Sequence, residues 1–116
     1  AVATDLNNIA ALWQAEGRYA QAIRYYEQAL AIDGEQATAL TQMAEIAYHE
    51  RHYMRARAFI ERADSATQLS RDQLRLAADI ERALDDPAAA RAYMTRYSSA
   101  RPADPSSTSE RETSQP

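Results

Sequence analysis

The sequence contains no cysteine and no lysine, and it has only two glycines, one phenylalanine and one tryptophan in 116 residues. Without cysteine there is no disulfide framework, no thiolate nucleophile and no thiolate metal site, and the redox compartment stays open. Gly17 and Gly34 alone cannot build a glycine-rich phosphate loop. No apolar run approaches the roughly 18 residues of a membrane-spanning helix. The first ten residues also lack the basic start and apolar stretch of a secretory signal. The sequence opens without Met, almost directly on a helical pattern, and reads as a fragment whose upstream part could have carried targeting information.

What is present points to helix. Apolar residues make up 46% of the chain, enough for a packed core. Ala, Leu, Gln, Glu and Arg are abundant and β-branched residues few, so the propensities favour an all-α fold. The formal charge is -4, and all 13 basic side chains are arginines dispersed among acidic residues. That mixed surface is not a nucleic-acid footprint.

The dominant signal is a repeat. The stretch GRYAQAIRYYEQALAID from Gly17 is echoed by RHYMRARAFIERA from Arg51. A shift of 34 residues aligns Leu6, Leu40 and Leu74, and likewise Ala10, Ala44 and Ala78. It also aligns Ala22, Ala56 and Ala90, then Tyr25, Phe59 and Tyr93, then Tyr26, Ile60 and Met94, with Tyr19 over Tyr53 and Ala29 over Ala63. Small residues at fixed places let helices approach closely, and large ones such as Trp13, Tyr19 and Tyr26 fill the space beside them. This pattern resembles the tetratricopeptide repeat, a pair of antiparallel helices.

The resemblance implies an α-solenoid, a right-handed superhelix of three helix pairs over about residues 3–36, 37–70 and 71–102. Gly17 is expected to end the first helix in a turn, with Tyr19 packed under it. Ala22, Ile23, Tyr26, Ala29 and Leu30 are expected as the buried stripe of the second helix. Ser70 with Gln73 forms a capping-box pattern, and Asp86 ahead of Pro87 places a capping residue before a first-turn proline. The third pair is the most degenerate, with Glu81 in the place of Trp13 and Pro87 in the place of Tyr19; a terminal repeat whose outer face meets water is expected to differ. Residues 103–116, rich in Ser, Thr and Pro, are expected to be a disordered tail.

No constellation of catalytic residues emerges. His49 and His52 are three apart, not the four that a helical zinc-protease motif needs, and they are expected as exposed residues at a helix end. Asp79 with Glu81, and Asp85 with Asp86, read as solvated charge on exposed helix faces beside arginines such as Arg82. No serine has a base at motif spacing. The chain is therefore expected to be no enzyme, with no metal site and no cofactor.

By similarity to the repeat family, the first helix of each pair lines a concave groove. The lining positions here are Asn7, Ala11, Gln14, Thr41, Glu45, Tyr48, His49, Arg75, Asp79 and Arg82, with Tyr48 the expected aromatic anchor. More specifically, ALTQMAEIAYHERHYMRARAFIERA and LRLAADIERALDDPAAARAYMTRYSSARP resemble the C-terminal repeats of the type IV pilus biogenesis and stability family (PilF/PilW). The features that carry this are Met43, Ala44, Tyr53, Ala56, Arg57, Leu74, Ile80, Asp86, Ala89, Ala90 and Tyr93. The resemblance implies a lipoprotein at the periplasmic face of the bacterial outer membrane, acting as a pilotin with a pilus secretin as its protein partner. Membrane association would then need a lipid anchor on a cysteine that this sequence does not contain. The alternatives are a generic adaptor, which would be cytoplasmic, and a structural segment of a longer repeat protein. A carboxylate-clamp adaptor is disfavoured, since such clamps use groove lysines.

Overall fold

The computed structural model describes residues 2–33 and 36–100, and the tail expected at 103–116 lies outside them. Among these residues six helices run in antiparallel pairs: α1 (Val2–Ala15) with α2 (Tyr19–Ile32), α3 (Ala37–His49) with α4 (Tyr53–Ala66), and α5 (Arg71–Ala83) with α6 (Pro87–Ser99). No strand occurs among the described residues.

The expected period is also a period of burial. Ala10, Ala44 and Ala78 are buried, as are Ala22, Ala56 and Ala90, and Ala29 with Ala63. At these places a side chain larger than methyl would push helices apart. Tyr26, Leu40, Ile46, Ile60 and Ile80 are the largest side chains fully withdrawn from water, each worth about 1.5–3 kcal/mol of burial. In the α2 stripe, Ala22, Tyr26 and Ala29 are buried, and Ile23 and Leu30 pack against them while partly exposed.

Each pair is closed by the same turn. After α1, Gly17 has φ 78° and the Arg18 amide donates to the Trp13 carbonyl at 2.9 Å. The turn recurs at Arg51 (φ 66°), where His52 donates to Ala47, and at Asp85 (φ 60°), where Asp86 donates to Glu81. Glycine accepts a left-handed conformation without steric cost, yet only the first turn uses it. The later helix starts are capped as expected. Ser70 Oγ accepts from the Gln73 amide at 3.2 Å while Gln73 Oε1 accepts from the Ser70 amide at 2.8 Å. Asp86 Oδ1 accepts from the Ala89 amide at 3.1 Å, with Pro87 at the first helical position.

Successive pairs stack unequally. The backbone of α3 runs close to both α1 and α5, whereas among the described residues the backbones of α2 and α4, and of α4 and α6, stand farther apart and leave side chains such as Asp64 and Arg96 to span the gap. A stack whose odd helices crowd and whose even helices splay curves around the odd ones. The concave side is thus lined by α1, α3 and α5.

One expectation fails. Glu81 is buried, not solvated on an outer face. Arg57 of α4 donates to it from Nε at 3.1 Å and from Nη2 at 2.6 Å. The third pair departs from the first two here because it joins its neighbour by an ion pair.

Candidate functional site

The concave side is a ladder of polar side chains that tie one helix pair to the next. Asn7 Nδ2 donates to Gln36 Oε1 at 2.8 Å. Tyr26 Oη donates to Gln14 Oε1 at 2.8 Å, and Gln14 Nε2 in turn donates to Glu45 Oε1 at 3.4 Å. Gln73 Nε2 donates to Thr41 Oγ1 at 3.3 Å. A side-chain amide both donates and accepts, so asparagine and glutamine can bridge helices in either direction. The Tyr26 hydroxyl lies in the core below this ladder, and burial, with a smaller contribution from Glu45, pushes its pKa up to about 12.

The expected groove residues divide into two groups. Asn7 and Thr41 are buried; Thr41 also donates within its own helix, to the Ala37 carbonyl at 3.0 Å. Gln14 and Glu45 are half-buried and joined, so the ladder brings them together. Tyr48 is half-buried against the core, its ring 5.6 Å from that of Tyr53, so much of its face is already used in packing. Ala11, His49, Arg75 and Arg82 are exposed. Arg82 Nη1 holds Asp79 Oδ1 at 2.8 Å, an i,i+3 surface pair of small energetic value. His49 and His52 are both exposed, with His52 in the turn between α3 and α4.

Between α3 and α5 the concave side deepens into a cleft of about 380 Å³ lined by Thr41, Gln42, Glu45, Ser70, Asp72, Gln73 and Leu76. Among the described residues Glu45 accepts a hydrogen bond from the Gln14 amide, and neither it nor Asp72 has an ion-pair partner. The cleft therefore presents two carboxylates without an opposing cation, over polar walls and one leucine. Gln42, Asp72, Gln73 and Leu76 were missed from sequence because the repeat register assigns only the central positions of each first helix to the groove. In the sequence Ser70 and Gln73 announce a helix cap, which does not by itself mark a cleft wall.

A second cleft, of about 370 Å³, lies between α2, α3 and α4 and is lined by Ile23, Glu27, Met43, Ala47, Glu50, Arg55 and Phe59. It is the partly open seam between the first two pairs. Among the described residues no three His, Asp or Glu side chains converge as a metal would require. Among the described residues no helix is long and apolar enough to cross a membrane.

No curated protein matches the sequence. Among solved structures the chain is similar to YrrB, described as a TPR protein with an unusual peptide-binding site, with a TM-score of 0.77 and 24% identity. The match covers 79% of this chain and 47% of YrrB, so the chain spans about half the length of that relative. At this identity the likeness speaks for the fold, an all-α solenoid. The tetratricopeptide repeat family profile matches residues 14–80, more than half of the sequence. With the 34-residue burial period and the curved stack of helix pairs, that match shows that the chain belongs to the tetratricopeptide repeat family.

Proposed function

We propose that the chain is a non-catalytic scaffold that holds an extended polypeptide segment along α1, α3 and α5, with a basic side chain of that segment seated between Glu45 and Asp72. The observation that carries this reading is the α3–α5 cleft, where two carboxylates face a groove without a cation of their own. A rigid helical stack can present such a groove without paying to order it, and the amide-rich walls can exchange hydrogen bonds with a peptide backbone. The peptide-binding site for which YrrB is described gives the fold a precedent for such a ligand.

Fluorescence anisotropy with otherwise identical peptides bearing Arg, Ala or Glu at one central position tests the proposal. The Arg peptide should bind at least about tenfold more tightly than the Glu peptide, and Glu45→Gln with Asp72→Asn should erase the difference. Equal binding of all three peptides rejects it.

The more specific partner we propose is a pilus secretin, with the chain acting within a pilotin at the periplasmic face of a bacterial outer membrane. This rests on the resemblance of the second and third pairs to the PilF/PilW repeats. Of the residues that carry it, Ala44, Ala56, Ile80 and Ala90 fill the core and Asp86 caps α6, as in any such stack, whereas Arg57 holds Glu81 in a contact the first seam lacks. Calorimetric titration with the secretin's periplasmic and C-terminal segments tests this partner. Binding that Tyr48→Ala with Arg82→Glu weakens, circular dichroism being unchanged, supports it. No heat with the parent chain rejects the secretin, whatever the peptide series shows.

A further inference from the structure

The outer side of the first helix pair is apolar where the end of a stack should be polar. Ile9, Met43 and Ala77 occupy one position of the repeat, and they are 39%, 6% and 1% exposed. Leu12, Ile46 and Ile80 occupy another, and they are 68%, 0% and 0% exposed. In the second and third pairs these side chains are covered by the pair before. In the first they are large, aliphatic and open to solvent, as is Val2 seven residues before Ile9 on the same side of α1.

The hollow beside them has the same meaning. It is a depression of about 120 Å³ lined by Trp13, Gln21, Arg24, Tyr25 and Gln28. Trp13, Gln21 and Tyr25 stand where Ala47, Arg55 and Phe59 stand in the second pair, and there those three form one wall of the seam whose other wall is Ile23 and Glu27 of α2. The first pair thus displays one half of a seam. At the other end, the positions of α6 that correspond to Ile23, Glu27 and Leu30 are Arg91, Thr95 and Ser98, all exposed and polar. At these positions the α6 end presents polar side chains, whereas the α1 end presents apolar ones.

We propose that the α1–α2 face is a stacking interface for a further helix pair of the same kind, carried ahead of Val2 in the same polypeptide. The occupant is specified by continuity with the α2–α3 interface: an antiparallel pair whose second helix presents aliphatic residues at the spacing of Ile23 and Leu30. A second copy stacked head to tail fits poorly, because it would lay Arg91, Thr95 and Ser98 on Ile9, Leu12 and Trp13.

The probe is the chain's own first pair. A copy of residues 3–36 is fused ahead of Ala3, with Trp13→Phe in the copy so that the native Trp13 remains the only tryptophan. Stacking should cut acrylamide quenching of Trp13 several-fold, shift its emission to the blue, and give one cooperative melt above that of the parent chain. Leu12→Glu in the native pair should abolish all three gains while leaving the melt of the unextended chain unchanged, since Leu12 is exposed there. Trp13 quenched as in the parent, or an added pair that unfolds separately, overturns the proposal. So does sedimentation showing the unextended chain to be a dimer that Leu12→Glu dissolves, because the face would then belong to a second copy.

Discussion

Arg57 and Glu81 form a two-point ion pair between α4 and α5 at the repeat positions that Ile23 and Ala47 fill one pair earlier. The second seam of the stack thus replaces an apolar contact by charge. Glu81 is buried, whereas Arg57 keeps 27% of its side chain exposed, so the two partners are not equivalent when one is lost. Arg57→Ala strands a buried carboxylate and should cost about 3 kcal/mol. Glu81→Ala leaves an arginine that can reach water and should cost about 1–2 kcal/mol. Arg57→Ile with Glu81→Ala rebuilds the first seam and should come within about 1 kcal/mol of the parent. Urea melts of the four proteins compare these costs, and equal costs for the two single changes would contradict the asymmetry.

Arg51 closes the α3–α4 turn with φ 66°, in the conformation Gly17 adopts after α1. A side chain in this region costs about 1–2 kcal/mol, part of which glycine gives back through its greater freedom when unfolded. Arg51→Gly should therefore stabilise the protein by about 0.5–1 kcal/mol. Gly17→Ala should destabilise it although no atom stands within 4 Å of the added methyl, because the strain lies in the backbone. Thermal melts of both variants check the opposite signs.

Ala56 is fully buried at the place Ala22 and Ala90 hold in the other pairs. Ala56→Leu should overpack that contact at a cost of about 1–3 kcal/mol. The exposed Ala58, two residues on, should accept leucine with little change in the same urea titration.

The helix pairs and their core were legible because close packing needs small residues in fixed places, and Ala10, Ala22 and Ala29 return on schedule. The Arg57–Glu81 pair was not. Glu81 alone looks like a solvated carboxylate, and only its joint appearance with Arg57, each one period after an apolar counterpart, marks a substituted contact. Turn chemistry was half legible, since Gly17 announces the first turn but Arg51 and Asp85 adopt the same conformation without a glycine signal. The repeat register places Gln14 and Glu45 at neighbouring positions of successive first helices, and the structure joins them by a hydrogen bond. The register did not reveal that Asn7 and Thr41 are buried, or that Tyr48 packs on the core, because period reports position along a helix and not how deeply neighbouring side chains cover it.

Asp64 of α4 accepts from Arg96 of α6 at 2.8 and 3.0 Å, and those hydrogen bonds hold its carboxyl below the usual carboxylate range. A depressed folded pKa adds stability that is present above the unfolded value of about 3.9 and is lost as pH falls through the folded one. The melting temperature should decline on acidification below about pH 4, and Asp64→Asn should flatten part of that decline while lowering stability at neutral pH. Parallel acid slopes for the two proteins would contradict the assignment.

At the alkaline end the sign reverses, and the group concerned is Tyr26. Its hydroxyl is buried and donates to Gln14, and its pKa is pushed up to about 12. A raised folded pKa means that the protonated phenol contributes stability in full below the unfolded value of about 10, and that this contribution disappears as pH climbs toward 12. Two pH units correspond to about 2–3 kcal/mol, a large share of a small domain's stability. Tyr93, also raised chiefly by burial, acts in the same direction. Tyr26→Phe removes the titrating group and frees Gln14, which is half-exposed and can turn to water. The variant should lose about 1 kcal/mol at neutral pH but hold its remaining stability better between pH 10 and 12 than the parent does. Urea melts at pH 7, 10 and 11.5 distinguish the two proteins. Stability falling in parallel across that range would show that Tyr26 does not control the alkaline transition.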